Sequence, residues 1–369
     1  MSQKNSKTSL RKEIKGVEKV GFDILEKTRC GSFIQIDNKA SYSSCRNEGV
    51  EVIPTSLALK RYSWLKKYIW KAVRKNKDEY TKEILRYKQE GYFIRAKKGV
   101  KAKIPVQACL YIKTRNIHQR VHNIIIAEEG SSLNIITGCT IAPQIYSGMH
   151  VGISEFFIKR NAAISFTMIH NWAKDTIVRP RTGAFLEENA QFISNYICLK
   201  EVKDLQMYPM AYLNGKGAVC RFSSILVAPK KTLLDVGSGV FLGAKKTRAE
   251  IIARALSKGG KIISRGKLIG EFPETKAHLE CKGLILKKEG EIDAIPELEG
   301  RTIGSDLSHE AAVGKINEEE IEYLMARGVS RKDATAMIIR GFLNIDIKGL
   351  PDSLDKQIKK AINLSAKSF

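Results

Sequence analysis

The sequence predicts a mainly β chain with a β-solenoid core, a helical region before the core and a small helical domain after it. Three observations support this fold class. From about residue 91, short apolar runs of period-two character alternate with clusters of Gly, Asn, Ser and Lys. The turn residues of these clusters recur every 28 to 31 residues. From residue 317 the apolar period becomes helical.

Residues 1–90 form a basic region that we expect to be mostly helical. Trp64, Leu65, Tyr68 and Ile69 fall at helical spacing within residues 57–76, and residues 81–89 predict a second short helix that Gly91 ends. The first hundred residues contain 24 Lys and Arg against 11 Asp and Glu, about half of the formal net charge of +24. We recognise no RNA- or DNA-binding signature in these residues, so we interpret this excess as a solvated surface.

Residues 91–310 are predicted to form the solenoid. Similar segments recur, in which charged or polar residues precede Gly or Asn and alternating apolar positions follow. The turn residues Gly130, Asn161, Asn189 and Gly217 are spaced by 31, 28 and 28 residues. Such a repeat is typical of a β-solenoid, because a single coil cannot bury its apolar residues without a neighbour on which to stack.

Residues 311–369 are predicted to form the helical domain. Asn317 and Glu320 predict a capping box, Gly328 ends the first helix, Ser330 caps a second, and a third follows Pro351. The predicted apolar face of the second helix is Ala334, Met337, Ile338 and Leu343.

Composition excludes several classes of protein. No apolar run approaches the roughly 18 residues of a membrane helix, and the polar residues 1–7 do not resemble a signal peptide, so we expect a cytoplasmic protein. No CxxC pair is present, which argues against a zinc knuckle or a disulfide framework and favours reduced thiols. The seven cysteines are Cys30, Cys45, Cys109, Cys139, Cys198, Cys220 and Cys281.

Three motifs resemble functional sites and have simpler interpretations. Residues 233–239 resemble the glycine loop of an S-adenosylmethionine methyltransferase, but Phe241 stands where the next glycine is expected, so a solenoid turn is favoured. The two helices around Gly328 could be a DNA-binding helix-turn-helix, although docking on a protein is favoured. His118 and His122 would form a metal pair on a helix, but the apolar run after them favours a strand. No GxxxxGK[ST] loop is present, so we do not expect this chain to bind ATP.

One long motif resembles a known family. The segment Ser308-His309-Glu310-Ala311-Ala312-Val313-Gly314-Lys315-Ile316, with the two helices after it, resembles the carboxy-terminal signature of the SufB/SufD family. It combines the His-Glu-Ala of SufB-type chains with the Ala-x-Val-Gly-x-Ile of SufD-type chains. The similarity covers about residues 91–343. Further matches are Gly91-Tyr92-Phe93-Ile94, Ile104-Pro105-Val106-Gln107, Gly138-Cys139-Thr140-Ile141-Ala142-Pro143 and Asn171-Trp172.

The resemblance implies a right-handed parallel β-helix flanked by helical domains. It implies a scaffold, without enzymatic activity of its own, that receives sulfur and iron and assembles a transient iron–sulfur cluster. The implied partners are a sulfur donor protein, a second SufB/SufD-type chain, which we expect to be a second copy, and a SufC-type ATPase on the carboxy-terminal helices. The residues expected to contact the ATPase are Tyr323, Leu324, Arg327, Arg340 and Phe342.

The resemblance also assigns roles to site residues. Cys139 matches the sulfur-accepting cysteine of SufB-type chains. Trp172 matches a residue of the sulfur path, with His170 where SufB has glutamine. The predicted metal ligands at the dimer interface are Cys281, His309 and Glu310.

These residue types suit that chemistry. Sulfur transfer needs an accessible thiolate, and we expect Cys139 to lie at a turn after Gly138. One Cys281 cannot hold a cluster, but two copies at a twofold axis would supply two thiolates together with imidazole and carboxylate groups. We expect Lys276 and Lys282 to favour the Cys281 thiolate.

Two alternative functions remain open at the level of sequence. One is an S-adenosylmethionine-dependent methyltransferase that uses residues 235–239, which predicts equilibrium binding of that cofactor. The other is a basic nucleic-acid-binding β-solenoid, which predicts tight and steeply salt-dependent binding. We consider nucleic acid the less favoured partner, because the basic segments carry no recognisable binding motif.

Overall fold

The protein is a β-solenoid in a computed structural model that describes residues 14–22, 29–87, 90–343 and 359. The chain is mainly β over these residues and winds through about eight turns. Two mostly parallel sheets of ten strands each form the walls, and successive strands of the solenoid alternate between the two sheets. The fold class predicted from the sequence is therefore confirmed, including the helical part near the carboxy terminus.

The strands in the described part of the chain are, in chain order, β1 (Gly31–Ile36), β2 (Lys39–Cys45), β3 (Val50–Pro54), β4 (Tyr92–Ala96), β5 (Val106–Ile112), β6 (His118–Ala127), β7 (Ser132–Ile141), β8 (Ser147–Ile158), β9 (Ala163–Asn171), β10 (Asp175–Leu186), β11 (Gln191–Cys198), β12 (Asp204–Met207), β13 (Met210–Leu213), β14 (Val219–Pro229), β15 (Leu233–Leu242), β16 (Arg248–Lys258), β17 (Lys261–Gly270), β18 (Thr275–Ile285), β19 (Glu291–Gly300) and β20 (Ser305–Lys315). Sheet 1 has the order β2-β1-β5-β7-β9-β11-β14-β16-β18-β20. Sheet 2 has the order β19-β17-β15-β12-β10-β8-β6-β4-β3, and β13 also pairs with β10 and β15. The α-helices are α1 (Thr55–Arg61), α2 (Glu79–Leu85), α3 (Glu318–Ala326) and α4 (Arg331–Leu343), and short 3-10 helices cover Val17–Val20 and Ser63–Lys67.

A residue with left-handed backbone geometry recurs at the turns that lead from sheet 2 to sheet 1. These residues are Gly99, Gly130, Asn161, Asn189, Gly217, Lys246, Glu274 and Gly304. The four turn residues found in the sequence repeat are all among them, with φ between 53° and 71°, so that prediction is confirmed. Gly and Asn adopt this conformation at low cost. Lys246 and Glu274 do so less readily, which explains why the repeat fades in the later coils.

The interior of the solenoid is built from side chains that stack from coil to coil. Phe156 packs on Phe166 and on Phe192, each with ring centroids 4.9 Å apart, and Phe192 packs on Phe222 at 6.0 Å. All four rings are buried. Phe156 projects from sheet 2 and the other three rings project from sheet 1, where Phe192 is in register with Ile164 and Cys220. The rings therefore interdigitate between the two walls instead of repeating at one position per coil.

The prediction that residues 1–90 are mostly helical is wrong for residues 31–54, which form the strands β1, β2 and β3. β1 pairs in parallel with β5 and antiparallel with β2, while β3 pairs antiparallel with β4, so this segment extends both sheets at the first coil. All six residues of β1 are buried. The segment shows no apolar alternation because β1 is covered on both faces, which is the usual cause of such a missed strand.

The long helix predicted over residues 57–76 is also interrupted. Regular α-helix ends at Arg61, a 3-10 segment follows, and Trp70 has a left-handed φ of 60°. The apolar residues that suggested the helix instead pack on the outer face of sheet 2, where Leu65 is fully buried. The second short helix is confirmed as α2, and Asp78 and Thr81 form its capping box.

The carboxy-terminal helices agree with the prediction, with three differences in detail. β20 continues to Lys315, so the helices begin several residues after the predicted boundary at 311. Asn317 caps α3 by accepting from the Glu319 amide at 3.0 Å, without the predicted box through Glu320. Met337 is 44% exposed. The residues of α4 that are buried are Ala334, Ala336, Ile339 and Leu343. The predicted third helix after Pro351 lies outside the described residues.

Helix α4 covers the outer face of sheet 1. Ala336, Ile339 and Leu343 join one apolar cluster with outward-facing residues of successive sheet 1 strands, among them Ile197 and Leu256. A sheet with an apolar outer face needs such a cover, because exposed aliphatic surface is unfavourable in water. The helix is therefore fixed to the solenoid through its own buried face.

The structure decides the interpretation of two of the three motifs. Residues 233–239 lie in strand β15, and Asp235 forms an ion pair with Arg265 at 2.6 Å, so no strand–loop–helix for a methyltransferase exists there. The segment is a strand and not the predicted solenoid turn. His118 and His122 lie in strand β6, as predicted. Among the helices of the described residues, none is both long and apolar enough to cross a membrane.

Candidate functional site

Cys139 lies in the middle of the solenoid wall and faces its interior. It belongs to β7, in register with Leu110 of β5 and His170 of β9, and it is fully buried. The expectation that Cys139 sits accessibly at a turn after Gly138 is therefore wrong. A Cβ on Gly138 would lie 2.4 Å from a methyl carbon of Val20, so this glycine makes room for the amino-terminal 3-10 helix outside the wall.

A second cysteine continues the same row of interior residues. His170 is in register with Cys139 on one side and with Cys198 of β11 on the other. His170 and Cys198 are both buried. The sequence analysis assigned no role to Cys198. Its position 28 residues after His170, one coil on, was the signal that could have revealed it.

Polar and aromatic side chains surround His170. The Tyr196 hydroxyl lies 2.8 Å from His170 Nδ1, and the indole of Trp172 lies 5.4 Å from the imidazole, centroid to centroid. The His150 ring lies 5.2 Å from the Trp172 ring and 6.4 Å from the His170 ring, and His150 Nδ1 is 2.8 Å from Gln119 Oε1. The structure therefore brings together the three residues Cys139, His170 and Trp172 that the resemblance assigned to sulfur handling.

Two nitrogen atoms in this cluster have no hydrogen-bond partner. They are Nε2 of His170 and Nε1 of Trp172, and both are buried. Buried polar atoms are almost always paired, so two such atoms side by side indicate a position for a small polar species in the interior.

Burial makes the cluster electrically neutral. It raises the pKa of the Cys139 thiol well above its usual range and that of Cys198 to about 12. It lowers the pKa of His150 to about 3, and burial together with His150 holds the pKa of His170 well below its usual range. The thiols are thus protonated and the imidazoles neutral. A thiolate at Cys139 requires a nearby acceptor for the proton.

Cys281 also faces the interior, one coil before the end of the solenoid. It lies in β18, is 4% exposed, and its Sγ is 2.9 Å from Ser264 Oγ. Burial raises the pKa of this thiol, although Arg254 partly opposes the shift. The expectation that Lys276 and Lys282 favour the thiolate is wrong, because alternate residues of a strand point to opposite faces.

Lys282 contacts carboxylates on the outer face instead. Its Nζ lies 3.0 Å from Glu280 and 3.2 Å from Glu310, and Lys276 lies 3.7 Å from Asp306. These lysines balance acidic groups at the surface of sheet 1, away from the interior sulfur.

The other two predicted metal ligands lie on opposite faces of the last strand. His309 of β20 is in register with Leu279, which points inward beside Cys281, whereas Glu310 is in register with the outward-facing Glu280. Both His309 and Glu310 are exposed. A single chain therefore has Cys281 and His309 on the interior side and Glu310 on the outer side.

On that outer side, Glu310 meets two residues that the sequence analysis missed. One ligand atom from each of His278, Glu280 and Glu310 lies within 4.8 Å of the others. One imidazole and two carboxylate groups form a set of ligands that suits a divalent iron ion. The alternation in residues 278–281, with His and Glu on one face and Cys on the other, was the available signal. In the structure, Arg254 forms an ion pair with Glu280, and Lys282 forms ion pairs with both Glu280 and Glu310.

Among the residues that the structure describes, the solenoid ends in two strands whose outer edges pair with no further strand. β19 is the last strand of sheet 2 and β20 is the last strand of sheet 1. Four apolar residues of this last coil are exposed, which are Ile295 (37%), Leu298 (37%), Ile303 (97%) and Val313 (41%). Unpaired strand edges with exposed apolar side chains indicate a surface that another chain covers.

The residues expected to contact an ATPase are partly exposed. Tyr323 is 57% exposed and stacks under the Arg327 guanidinium at 4.4 Å, while Leu324 and Arg340 are half-buried. Phe342 is half-buried and packs against the cluster beneath α4. Two further apolar side chains, Met325 (41%) and Met337 (44%), are exposed on these helices.

Comparison with known proteins identifies related chains. A family model described as "SUF system FeS cluster assembly, SufBD core domain" matches residues 110–342. An iron–sulfur cluster assembly SufBD family protein of Archaeoglobus fulgidus is 52% identical over 353 residues, covering 96% of this chain and 95% of that protein. A protein of the same description from Methanothermobacter thermautotrophicus strain Winter is 48% identical over 356 residues, covering 95% and 87%. One from Pyrococcus horikoshii is 29% identical over 349 residues, covering 93% and 78%.

Proposed function

This chain belongs to the SufBD family of iron–sulfur cluster assembly proteins, and from that premise we propose that it is a scaffold that accepts sulfur on Cys139 and builds a labile cluster where two copies meet. Membership of the family gives the chain a role in iron–sulfur cluster assembly. The observation that carries the finer proposal is the interior row of Cys139, His170 and Cys198 beside two buried nitrogen atoms without partners.

The sulfur-accepting step is a transfer between thiols. The Cys139 sulfur attacks the outer sulfur of a donor persulfide, the donor S–S bond breaks, and the donor leaves as a thiol. The proton of Cys139 moves to His170 Nε2 in the tautomer in which Nδ1 donates to the Tyr196 hydroxyl, and it then reaches the leaving group. No net oxidation occurs. Because Cys139 is buried, the step requires an opening in the solenoid wall.

The next step moves sulfur towards the last coil. Cys139 and Cys281 are separated by five strand spacings of sheet 1, or about 24 Å. Trp172 and His170 line the first part of this route, and the remaining interior consists largely of aliphatic and aromatic side chains, such as Phe222 and Leu226. A neutral sulfur species suits this route better than an anion, because an apolar interior disfavours charge.

Assembly of the cluster would take place between two copies joined at β19 and β20. Twofold symmetry brings two copies of Cys281 together with His309 and Glu310 from each chain. In this scheme the iron is cargo, and the His278, Glu280 and Glu310 group offers it a first binding position on the outer face. Ligation that mixes thiolate with imidazole and carboxylate holds a cluster less firmly than four thiolates, which suits a scaffold that must release its product.

A SufC-type ATPase would supply the energy for opening this interface. The exposed Tyr323, Met325 and Met337 support docking on α3 and α4. Closure of the ATPase on nucleotide would pull on α4, which is fixed to sheet 1 through Ile339 and Leu343, and so strain the last coils around Cys281.

Anaerobic reconstitution of the purified protein with ferrous iron and sulfide tests the proposal. We expect a visible chromophore that chelators remove and that Cys281→Ala abolishes. Cys220→Ala is the matched control, since Cys220 is also buried in the interior but has no assigned role. A chromophore that survives in Cys281→Ala, or that both variants lose equally, would contradict the proposal.

A further inference from the structure

Lysines accumulate at one corner of the solenoid. They lie at or just after the ends of the later sheet 1 strands, β11, β14, β16, β18 and β20, where the chain leaves sheet 1. The turns after β11, β14, β16 and β18 contain only two acidic residues, Glu201 and Glu289, whereas Glu318, Glu319 and Glu320 follow β20 at the start of α3. We define the lysine corner as Lys200, Lys203, Lys230, Lys231, Lys258, Lys287, Lys288 and Lys315. Because successive coils are about 4.8 Å apart, these charges are stacked closely along the solenoid axis.

The opposite corner, where sheet 2 leads to sheet 1, follows a different pattern. Its turns alternate in sign from one coil to the next for much of the solenoid. The alternation produces ion pairs between coils, which are Lys98–Glu129 (2.8 Å), Arg160–Glu129, Lys159–Glu187 (2.7 Å), Lys246–Glu274 (3.7 Å) and Arg301–Glu271 (2.8 Å). The same fold thus pairs its charges at one corner, whereas seven of the eight lysines at the other corner, all except Lys258, form no ion pair within the described residues.

The lysine corner is exposed and largely without ion pairs. Lys200, Lys231 and Lys288 are exposed and form none within the described residues, and the same holds for Lys203, Lys230, Lys287 and Lys315. Burial, followed by the charges of Lys287 and Lys200, lowers the pKa of Lys258. Like charges on neighbouring strands destabilise a sheet. A row of them therefore indicates a surface that an anionic partner neutralises.

The surroundings of this corner favour a protein over a nucleic acid. No aromatic residue lies in the turns that carry the lysines, so bases of a single strand would have nothing on which to stack. The corner continues into a groove of about 650 Å³ beside α3 and α4, where apolar side chains lie between basic ones. The groove is lined by Ile285, Leu286, Ile316 and Ile321 together with Thr335, Lys287, Lys288, Lys315, Arg331 and one acidic residue, Glu318. Glu318 forms an ion pair with Arg331, so among the described residues the three lysines remain as the positive charges of the groove without an acidic partner.

We propose that the lysine corner and its groove bind an acidic polypeptide segment of a partner protein, with carboxylates on the lysines and apolar side chains in the groove. This interaction stands independently of the cluster chemistry proposed above. It accounts for part of the high positive charge of the chain, and it predicts binding that weakens as salt screens the lysines.

The test compares two triple variants of the full chain with equal loss of charge. Lys200→Gln/Lys231→Gln/Lys288→Gln removes three exposed lysines of the corner. Lys97→Gln/Lys216→Gln/Lys245→Gln removes three exposed lysines from the turns of the opposite corner and serves as the control. Binding of fluorescein-labelled poly-L-glutamate is measured by anisotropy at near-physiological salt. Duplex DNA and phosphatidylserine vesicles are measured in parallel, and circular dichroism checks the fold of each variant.

We expect the corner variant to bind poly-L-glutamate about tenfold more weakly than the unchanged protein, and the control variant to bind within about twofold of it. Equal losses in both variants would overturn the proposal, since they would show attraction to net charge alone. Tighter binding of DNA or vesicles than of poly-L-glutamate, with the same dependence on the corner lysines, would also overturn it by identifying a phosphate-bearing partner.

Discussion

The Tyr196 hydroxyl lies 2.8 Å from Nδ1 of His170, and this contact connects the strand of His170 with the strand of Cys198 inside the solenoid. It fixes which His170 nitrogen is engaged and leaves Nε2, on the other side of the ring, without a partner. A donor or acceptor held at one imidazole nitrogen sets the tautomer and therefore the proton chemistry of the other.

Removing that hydroxyl should separate proton transfer from sulfur binding. In Tyr196→Phe we expect unfolding to require about 1–2 kcal/mol less free energy, because buried His170 loses its partner. We expect slower persulfide formation on Cys139 when a donor persulfide is supplied. Mass spectrometry of the Cys139 peptide measures the rate. Tyr212→Phe, a half-buried tyrosine of β13, is the control, and an unchanged rate in Tyr196→Phe would remove His170 from the proposed step.

The buried histidines predict a loss of stability in mild acid. The pKa of His150 is about 3 in the folded chain and about 6.5 when unfolded, so below pH 6.5 only the unfolded chain binds the proton. Folding is therefore weakened as the pH falls, by up to about 1.4 kcal/mol per pH unit for each such histidine. His170, whose pKa is lowered for the same reason, adds to the slope.

Urea unfolding between pH 7 and pH 5 measures this slope, above the range in which most carboxylates titrate. His150→Gln should reduce the slope of unfolding free energy against pH by about the contribution of one proton, which is about 1.4 kcal/mol per pH unit. Gln191→Ala, at an exposed position of β11 without a titratable group, is the control and should leave the slope unchanged. A slope in His150→Gln equal to that of the unchanged protein would count against neutral burial of this imidazole.

Glu155 anchors the amino-terminal region to the solenoid. Its buried carboxylate accepts from the amides of residues 70–73, at 2.6 to 3.2 Å, and lies 2.8 Å from His122 Nε2. Glu155→Gln replaces one acceptor oxygen with a donor that faces amide donors, so we expect a loss of about 3–5 kcal/mol in unfolding free energy. The exposed Glu188 provides the control variant, Glu188→Gln, which should change it by less than about 0.5 kcal/mol.

Hydrogen exchange can locate the effect of Glu155→Gln. Amides 70–73 should lose protection before the interior strands do. A variant as stable as the unchanged protein would mean that the carboxylate does not hold this segment.

The proposed dimer at the last coil of the solenoid is one that a single substitution should weaken. Ile303 is 97% exposed in the turn between β19 and β20. Ile303→Asp should raise the dimer dissociation constant about tenfold or more, because it adds a charge to a surface that dimerisation buries. Sedimentation equilibrium measures the constant, with Leu57→Asp, at a 41% exposed leucine of α1, as the control. A monomeric unchanged protein would contradict the interface itself.

The proposed docking of a SufC-type ATPase predicts a second surface that is separate from the proposed dimer interface. Tyr323→Ala should weaken binding of a SufC-type ATPase by about 1–2 kcal/mol, since exposed aromatic residues often dominate such contacts. Tyr146→Ala is matched to it, because Tyr146 is 59% exposed in a solenoid turn. Calorimetric titration with the ATPase compares the two, and equal affinities would move the docking site away from α3.

Disulfide-length crosslinking of Cys281 across the dimer, with and without the ATPase and ATP, then tests whether docking opens the interface. Equal yields in both conditions would argue against that coupling.

Local sequence determined the solenoid and the ends of its helices. Gly130, Asn161, Asn189 and Gly217 were recognisable because a turn of left-handed geometry selects Gly and Asn within a few residues of chain. The cap at Asn317 and the end of α3 at Gly328 were predictable for the same reason, since a helix terminus is also a local structure.

Only the tertiary structure decided which residues meet. The interior row of Cys139, His170 and Cys198 joins residues that are 28 to 31 positions apart, and their register depends on how each coil stacks on the next. The burial of β1 depends on its pairing with β5, in which Gly31 is in register with Val106, 75 residues later in the chain. Alternation along a strand fixes that Cys281 and Glu280 point to opposite faces, but it does not say which face is the interior. The interior face is selected by the free energy gained when the same face of every coil is buried together. That free energy depends on all coils and cannot be inferred from a single segment of the sequence.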